Sequence, residues 1–437
     1  MVLSSGLVRA GRHVTRPPTA MRLTARIHAH RAALGVLATC TLISLMSRGI
    51  GETFAIFLLP IAQEFHVERA ALTGIYSIYM LGLGLMSPLA GVVFDRLGPR
   101  LCYGVGMALY ASTCLLAASA SSLWQLYLLV GVGNAVGASM LGMVPASALT
   151  SRWFGSRLPT ALGIVSASLG VGILLFAPIA QSLIDLNGWR GAYRTLGLAL
   201  LGATLIVLGL PWRRIAAGSA DIMRARSAAA LGATEWNIPR AIRTPVFWAL
   251  FGVMFFTSLS TYAVMVQLVA YLVESGVTPI RAASIFGLVG MVSIVGMIGA
   301  GMLAERIGEV RVAMLSYGAT IAGTAALALV SHSTTMAFIG AFVLLFGTMQ
   351  GSRGPLVATL SARHFAGGRQ GGIYGAILIG MGTGGALGAW GSGVLFDLTG
   401  HYLAGFALSA FGAACGLALF LTVPGLGARP ASTRAMR

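Results

Sequence analysis

Gly91-Val92-Val93-Phe94-Asp95-Arg96-Leu97-Gly98-Pro99-Arg100 lies between two long apolar runs and returns 210 residues later as Gly301-Met302-Leu303-Ala304-Glu305-Arg306-Ile307-Gly308. The acid, the first Arg and both glycines keep register. A charged knot between hydrophobic helices, present once per half, predicts two similar membrane bundles fused in one polypeptide. A second echo, at an offset of 212, pairs Gly163, Gly170, Gly172, Asp185, Leu186 and Gly188 with Gly375, Gly382, Gly384, Asp397, Leu398 and Gly400. It lays the fifth helix of one half over the eleventh helix of the chain. Glycines at such intervals, like Gly287, Gly290, Gly296 and Gly299 in the eighth, let helix backbones approach closely.

Composition excludes a soluble protein. The chain is 57% hydrophobic with only 9% charged residues, and runs near the ~20 residues needed to cross a bilayer recur along it. They fall near 33–60, 71–93, 101–121, 123–150, 160–185 and 192–211, then 245–273, 280–303, 312–331, 336–361, 371–396 and 402–423. The expected fold is an all-α membrane protein of twelve transmembrane helices, in two six-helix bundles related by a pseudo-two-fold axis. The division is a basic tail 1–31, an N-terminal bundle 32–211, a linker 212–243, a C-terminal bundle 244–424 and a tail 425–437. Met21 offers a second possible start. The net charge of +18 is carried by Arg alone among the bases, since the chain has no Lys. Twenty-three of the 29 Arg fall in the tails, the linker and the four loops on one side, against Arg69, Arg190, Arg194 and Arg281 on the other. That asymmetry predicts cytoplasmic termini. It also assigns the positive charge to loops rather than to nucleic-acid binding. Cys40, Cys102, Cys114 and Cys415 lie in apolar runs and read as small buried hydrophobes. No metal site, cofactor or Lys-containing phosphate loop is expected.

The spacing Gly91-x-x-x-Asp95-Arg96-x-Gly98-x-Arg100 resembles the signature loop between helices 2 and 3 of major facilitator superfamily transporters. Gly301, Glu305 and Arg306 repeat it between helices 8 and 9. Phe54-Ala55-Ile56-Phe57-Leu58-Leu59-Pro60 with Glu64-Phe65 and Glu68-Arg69-Ala70 resembles the bacterial monocarboxylate and oxalate/formate-type carriers. So do Arg152-Trp153-Phe154, Gly188-Trp189-Arg190 and Phe396-Asp397-Leu398-Thr399-Gly400. The drug/proton antiporter pattern fits less well. Gln125 to Gly133 lacks that group's Arg, and Ala177-Pro178-Ile179-Ala180 lacks its Gly-Pro pair. One departure touches the substrate: the helix-8 Arg shared by monocarboxylate carriers is Met297 here. The resemblance implies that helices 1, 4, 7 and 10 line a central cavity. It also implies that Asp95 faces the start of helix 11, near Gly371-Gly372, when the cytoplasmic side is shut.

Two charges lie deep in predicted helices, where they are costly and usually face a cavity or a partner. Arg48 sits about 15 residues, or roughly 22 Å, into helix 1, with Glu52 four residues on and on the same face. Their alternatives are a mutual structural ion pair, or substrate anchoring by Arg48 with Glu52 as the proton-coupling group. Arg353, in Gln350-Gly351-Ser352-Arg353-Gly354-Pro355, lies roughly 15 Å from the inner end of helix 10. Its alternatives are a second carboxylate clamp converging with Arg48, or snorkelling to the headgroups. Asn134, Tyr262, Gln267 and Tyr374 are weaker candidates for solute contact, each with interhelical bonding as the alternative. Trp124, Trp153, Trp189, Trp212 and Trp248 read as interface anchors, and Asp185 and Asp397 as structural acids at the outer ends.

The expected function is secondary transport of a small, monocarboxylate-like organic anion with protons, by a monomer in a bacterial inner membrane. A carrier or exporter of neutral or amphipathic compounds is the alternative within transport. A non-transporting membrane sensor is the alternative outside it, and an enzyme is not expected.

Overall fold

The computed structural model describes residues 19–155, 157–219, 222, 236–330, 336–365 and 370–423. The first 18 residues, the middle of the linker and the 425–437 tail lie outside the described residues, as do the surroundings of Gly301 and the Glu305 side chain. Every regular element among the described residues is helical. Hydrocarbon offers no partner for a free backbone N–H or C=O, so each span must bond within itself.

Among the described residues, nine helices are long and apolar enough to cross a membrane. Two of them, Arg69–Ala117 and Thr160–Gly209, are each a pair of spans joined through a kink, at Gly98 and Gly188. A further span, helix 10, runs in pieces from Met336 to His364. Together these are the twelve helices of the expected fold. Helix 1 comprises Thr19–Glu52 and Phe54–Phe65, so it starts earlier and ends later than its apolar run. Pro60 is accommodated inside it rather than ending it. Helices 2 and 3 lie in Arg69–Ala117, helix 4 in Leu123–Thr150, and helices 5 and 6 in Leu158–Gly209. Helix 7 is Pro245–Met265 with Leu268–Glu274, and helix 8 is Pro279–Ile307. Helices 9, 11 and 12 are Glu309–Leu329, Gln370–Thr399 and Leu403–Thr422.

The repeated glycines have a backbone reason. Gly98 and Gly308 close the two signature loops at φ +78° and +90°, and Gly188 and Gly400 turn the 5–6 and 11–12 connections at +67° and +73°. Only glycine adopts this region without a Cβ penalty, so both sequence echoes preserve it.

Helix 2 packs on helix 11 and helix 5 on helix 8 across the bundle interface. A Cβ on Gly382 would stand 3.0 Å from the Cα of Gly84, and one on Gly170 would strike the Gly290 carbonyl. These contacts lie at mid-depth and toward the Arg69 end. Gly163, Gly299 and Gly375, nearer the signature loops, face open space, contrary to the expectation that they too are packed. The bundles therefore meet at the end away from the signature loops and stand apart at the signature end.

Two of the tryptophans also depart from expectation. Trp124 and Trp248 are exposed, as interface anchors should be, but Trp189 and Trp212 are buried. Trp189 Nε1 donates to Glu64, and Trp212 Nε1 donates to the Val207 carbonyl (2.6 Å) while its ring stacks on Tyr103. A nearby protein acceptor, the exposed Glu64 carboxylate or the Val207 carbonyl, satisfies each indole N–H in place of the headgroup region.

Candidate functional site

Among the described residues four membrane helices are broken, and they are helices 1, 4, 7 and 10. Helix 1 breaks at Thr53, whose N–H (3.2 Å) and Oγ1 (2.6 Å) both return to the Ile50 carbonyl. Helix 7 breaks at Val266-Gln267. Helix 4 contains a π-helical stretch, Tyr127–Gly133, and then breaks at Gly142. Helix 10 repeats that order, with Val343–Gly347 followed by a break at Gly351-Ser352. Broken helices free carbonyls and re-aim side chains, and they are tolerated at membrane depth where protein or a cavity surrounds them.

The break in helix 1 positions the central cluster. Arg48 Nη2 lies 3.7 Å from Glu52 Oε1. Glu52 Oε2 accepts from the Tyr76 hydroxyl of helix 2 (2.6 Å), and Oε1 accepts from the Tyr262 hydroxyl of helix 7 (3.2 Å). The Tyr76 ring lies 5.5 Å from Tyr79 and 5.7 Å from Tyr262. Two small voids flank the carboxylate. One, on the bundle interface, is lined by Glu52, Tyr76, Tyr262, Met265, Val266 and Phe286. The other lies within the N-terminal bundle, between Gly51, Tyr79, Tyr110, Asn134 and Tyr193. Glu52 is 7% exposed and Arg48 19%, so the Arg48 side chain is less deeply sealed than its partner. The cluster thus combines one cation, one anion and several neutral hydroxyls at the junction of the two bundles. Such a set can hold a carboxylate or exchange a proton with little rearrangement.

Tyr76, Tyr79 and Tyr110 are not among the residues that the sequence marks as candidates. Tyr76 and Tyr79, three residues apart within an apolar run, were the available signal, because that spacing puts both on one helical face.

Arg353 does not join this cluster. Its side chain is fully buried and turns to helix 9. There Nε donates to Ser316 Oγ (2.9 Å), and Nη2 donates to the Ser316 carbonyl (3.0 Å) and to Thr320 Oγ1. The guanidinium lies 4.1 Å over the Tyr317 ring. Convergence with Arg48 is not present in this conformation, and burial against helix 9 removes the snorkelling alternative. The break at Gly351-Ser352 supplies the reason, since it re-aims the following turn. Met297 lays its terminal methyl close to Gly351 on the other side of that break.

The remaining candidates are scattered. Asn134 is buried and accepts from Thr113, at the edge of the N-terminal void. Gln267 Nε2 donates to Ser392 (3.4 Å) within the C-terminal bundle, while its buried Oε1 has no partner. Tyr374 packs near Phe365 and Trp236 in a separate apolar cluster. At the signature end Asp95, Arg96 and Arg100 are exposed. Asp95 makes no hydrogen bond or ion pair with any described residue. Gly91 is half-buried and Arg306 exposed.

At the opposite end the bundles are tied. Arg69 of helix 2 pairs with Glu274 of helix 7, and its guanidinium lies 5.3 Å over Phe396. Tyr402 also donates to Glu274 (2.8 Å).

Residues 37–389 match the family described as Major Facilitator Superfamily. The chain belongs to that superfamily. As a member of this superfamily it is a transporter rather than an enzyme, inserted in a membrane through many spans. It is 27% identical over 394 residues to monocarboxylate transporter 13 of Rattus norvegicus, covering 86% of this chain and 85% of that one. It is 26% identical over 358 residues to the uncharacterized MFS-type transporter YcxA of Bacillus subtilis (strain 168), covering 80% and 85%. Among solved structures, a D-xylose-proton symporter superposes with a TM-score of 0.70 at 13% identity, over 90% of this chain and 98% of that one. A bacterial homologue of the human lysosomal transporter Spinster, in an inward-facing and occupied conformation, gives 0.68 at 16%, over 91% and 98%. At such identities the structures establish the superfamily fold.

Proposed function

We propose that this chain is a secondary active carrier that moves a small, monocarboxylate-like organic anion together with a proton by alternating access. The observation that carries the reading is the Arg48–Glu52 pair at the break of helix 1, roofed by Tyr76 and Tyr262 where the bundles meet. Arg48 is the carboxylate clamp, because it alone of the two deep arginines keeps exposure. Glu52 is the proton site. A proton on Glu52 cancels its hold on Arg48 and frees the guanidinium for the solute, which couples the two. Asn134 and Gln267 are the polar lining on either side, and Tyr374 lies outside the site. The names of the relatives support the substrate class.

In this reading the signature end faces the cytoplasm of a bacterial cell, with both termini there, and the protein works as a monomer in the inner membrane. The Arg asymmetry and the gating roles of Gly91, Asp95, Arg96, Arg100, Gly301, Glu305 and Arg306 support that orientation. The bundles are 32–211 and 244–424, tethered by 212–243. The described conformation is then open to the cytoplasm.

A neutral or amphipathic solute is the second reading, and it has specific support. Met297 brings no charge to the helix-8 position, and Arg353 is committed to helix 9. Uptake of labelled carboxylates and of matched uncharged analogues into proteoliposomes, with and without a pH gradient, separates the two. The anion reading expects gradient-stimulated uptake of the carboxylate alone. Equal uptake of the analogue, indifferent to pH, sinks it.

A further inference from the structure

Glu52 and Tyr262 are 210 residues apart and joined by a hydrogen bond of 3.2 Å. Glu52 lies one residue before the break of helix 1 at Thr53, and Tyr262 lies one turn before the break of helix 7 at Val266-Gln267. They meet where the two halves face one another. Tyr76, the other hydroxyl on Glu52, belongs to the same bundle as the carboxylate. Tyr262 belongs to the opposite bundle. Among the described residues no other side-chain to side-chain hydrogen bond joins helix 1 to helix 7.

We infer that the Tyr262–Glu52 bond is a proton-controlled latch between the bundles, with Tyr262 as a positioning residue whose release licenses opening of the Arg69 end. The inference rests on the proposed proton role of Glu52. An ionised Glu52 accepts two hydroxyl hydrogen bonds, and a bond to an ionised acceptor is roughly twice as strong as a neutral one. Protonation adds one hydrogen to a carboxylate oxygen and removes the negative charge. Tyr262 keeps its own proton throughout, and no bond other than the hydrogen bond is broken. The groups around Glu52 are Arg48 on its own helix, Tyr76 and Tyr79 on helix 2, Tyr110 on helix 3 and Tyr262 on helix 7. Phe286 of helix 8 closes the interface side. Glu52 is the only carboxylate in that set, so it is the group there whose charge the proposed proton cancels. Opening the Arg69 end draws the outer halves of helices 1 and 7 apart, and with them this bond.

Strengthening by the charge corresponds to about a five-fold change in the open-to-closed ratio. Leu186 and Leu398, 78% and 77% exposed, lie at this end on opposite bundles and accept spin labels. The experiment uses the full chain in lipid nanodiscs without solute. The four native cysteines are replaced by alanine, and Leu186→Cys and Leu398→Cys are labelled for pulsed dipolar distance measurement. The parent should shift toward the longer distance by about five-fold on going from mildly alkaline to mildly acidic pH. Tyr262→Phe and Glu52→Gln should both show a raised open fraction with little pH response. The proposal is overturned if the parent shows no shift. It is equally overturned if Tyr262→Phe keeps the parent's pH response, which would place the sensor at Glu274 and Asp397. Because no solute is present, a failure of the anion reading leaves this result unaffected.

Discussion

Asp397, at the end of helix 11, accepts from the backbone N–H groups of Arg69 (2.9 Å) and Ala70 (2.7 Å), so a carboxylate of one bundle caps the first turn of a helix in the other. The first N–H groups of a helix have no internal partner, and the helix dipole favours an anion there. The equivalent acid of the first repeat, Asp185, instead accepts from Gln181 (2.8 Å) one turn back on its own helix. The same sequence echo therefore yields one lock, not two.

Asp397→Ala should loosen the Arg69 end without unfolding helix 2. Loss of a cap costs about 1 kcal/mol, or roughly a five-fold rise in the open fraction. Thiol labelling of a cysteine placed at Ser77, which donates to the Ala386 carbonyl across the interface (2.7 Å), should speed up correspondingly. Unchanged labelling would show that the cap contributes nothing to closure.

Asp95 is expected to act in the opposite half of the cycle. It is exposed here, with the signature end open, and the start of helix 11 attracts a negative charge by roughly 0.3–1 kcal/mol. Asp95→Asn should slow turnover while equilibrium solute affinity stays within a few-fold. A collapse of affinity, with labelling from both sides still normal, would assign Asp95 to binding instead.

Gly163, Gly299 and Gly375 have open space in this conformation, whereas their counterparts deeper in helices 5, 8 and 11 are in close backbone contact. Leu at Gly299 or Gly375 should therefore be tolerated by the described state and obstruct its closure. Overpacking costs about 1–3 kcal/mol, so transport should fall about ten-fold or more. The melting temperature should stay near that of the parent. Normal transport by both variants would mean that the signature end closes without using these surfaces.

Arg353 braces the break in helix 10 against helix 9. Arg353→Gln should lower thermal stability in detergent, because several hydrogen bonds of about 1 kcal/mol each are lost. The apparent KM should stay within about three-fold of the parent, since uniform binding is untouched. A large rise in KM at unchanged stability would return Arg353 to the substrate site.

The twelve helices, their two-fold repetition and the position of the Arg48–Glu52 pair were legible because each depends on spacing along one helix. Hydropathy marks the spans, and a four-residue interval puts both charges on one face. The partners of that pair were not legible. The spacing of Tyr76 and Tyr79 puts them on one face, but which face of an all-apolar helix turns inward is decided by packing, so that spacing alone did not tie them to Glu52. Tyr374 and Arg353 show the converse: polar groups on cavity-facing or neighbouring helices that packing turns away. The breaks at Thr53 and Val266-Gln267 were equally hidden, because no proline follows within a turn of them. Gly142 with Pro145, and Gly351 with Pro355, carry a mark in the sequence at the other two.

The central claim is that Arg48 holds the solute's carboxylate and Glu52 couples it to a proton. Radiolabelled monocarboxylate transport in proteoliposomes, measured as gradient-driven uptake and as solute exchange without a gradient, tests both halves. The account predicts that Arg48→Gln abolishes both modes. It predicts that Glu52→Gln retains exchange but no longer responds to the pH gradient. Arg48→Gln carrying carboxylates at the parent's rate, with the protein correctly inserted, would contradict it.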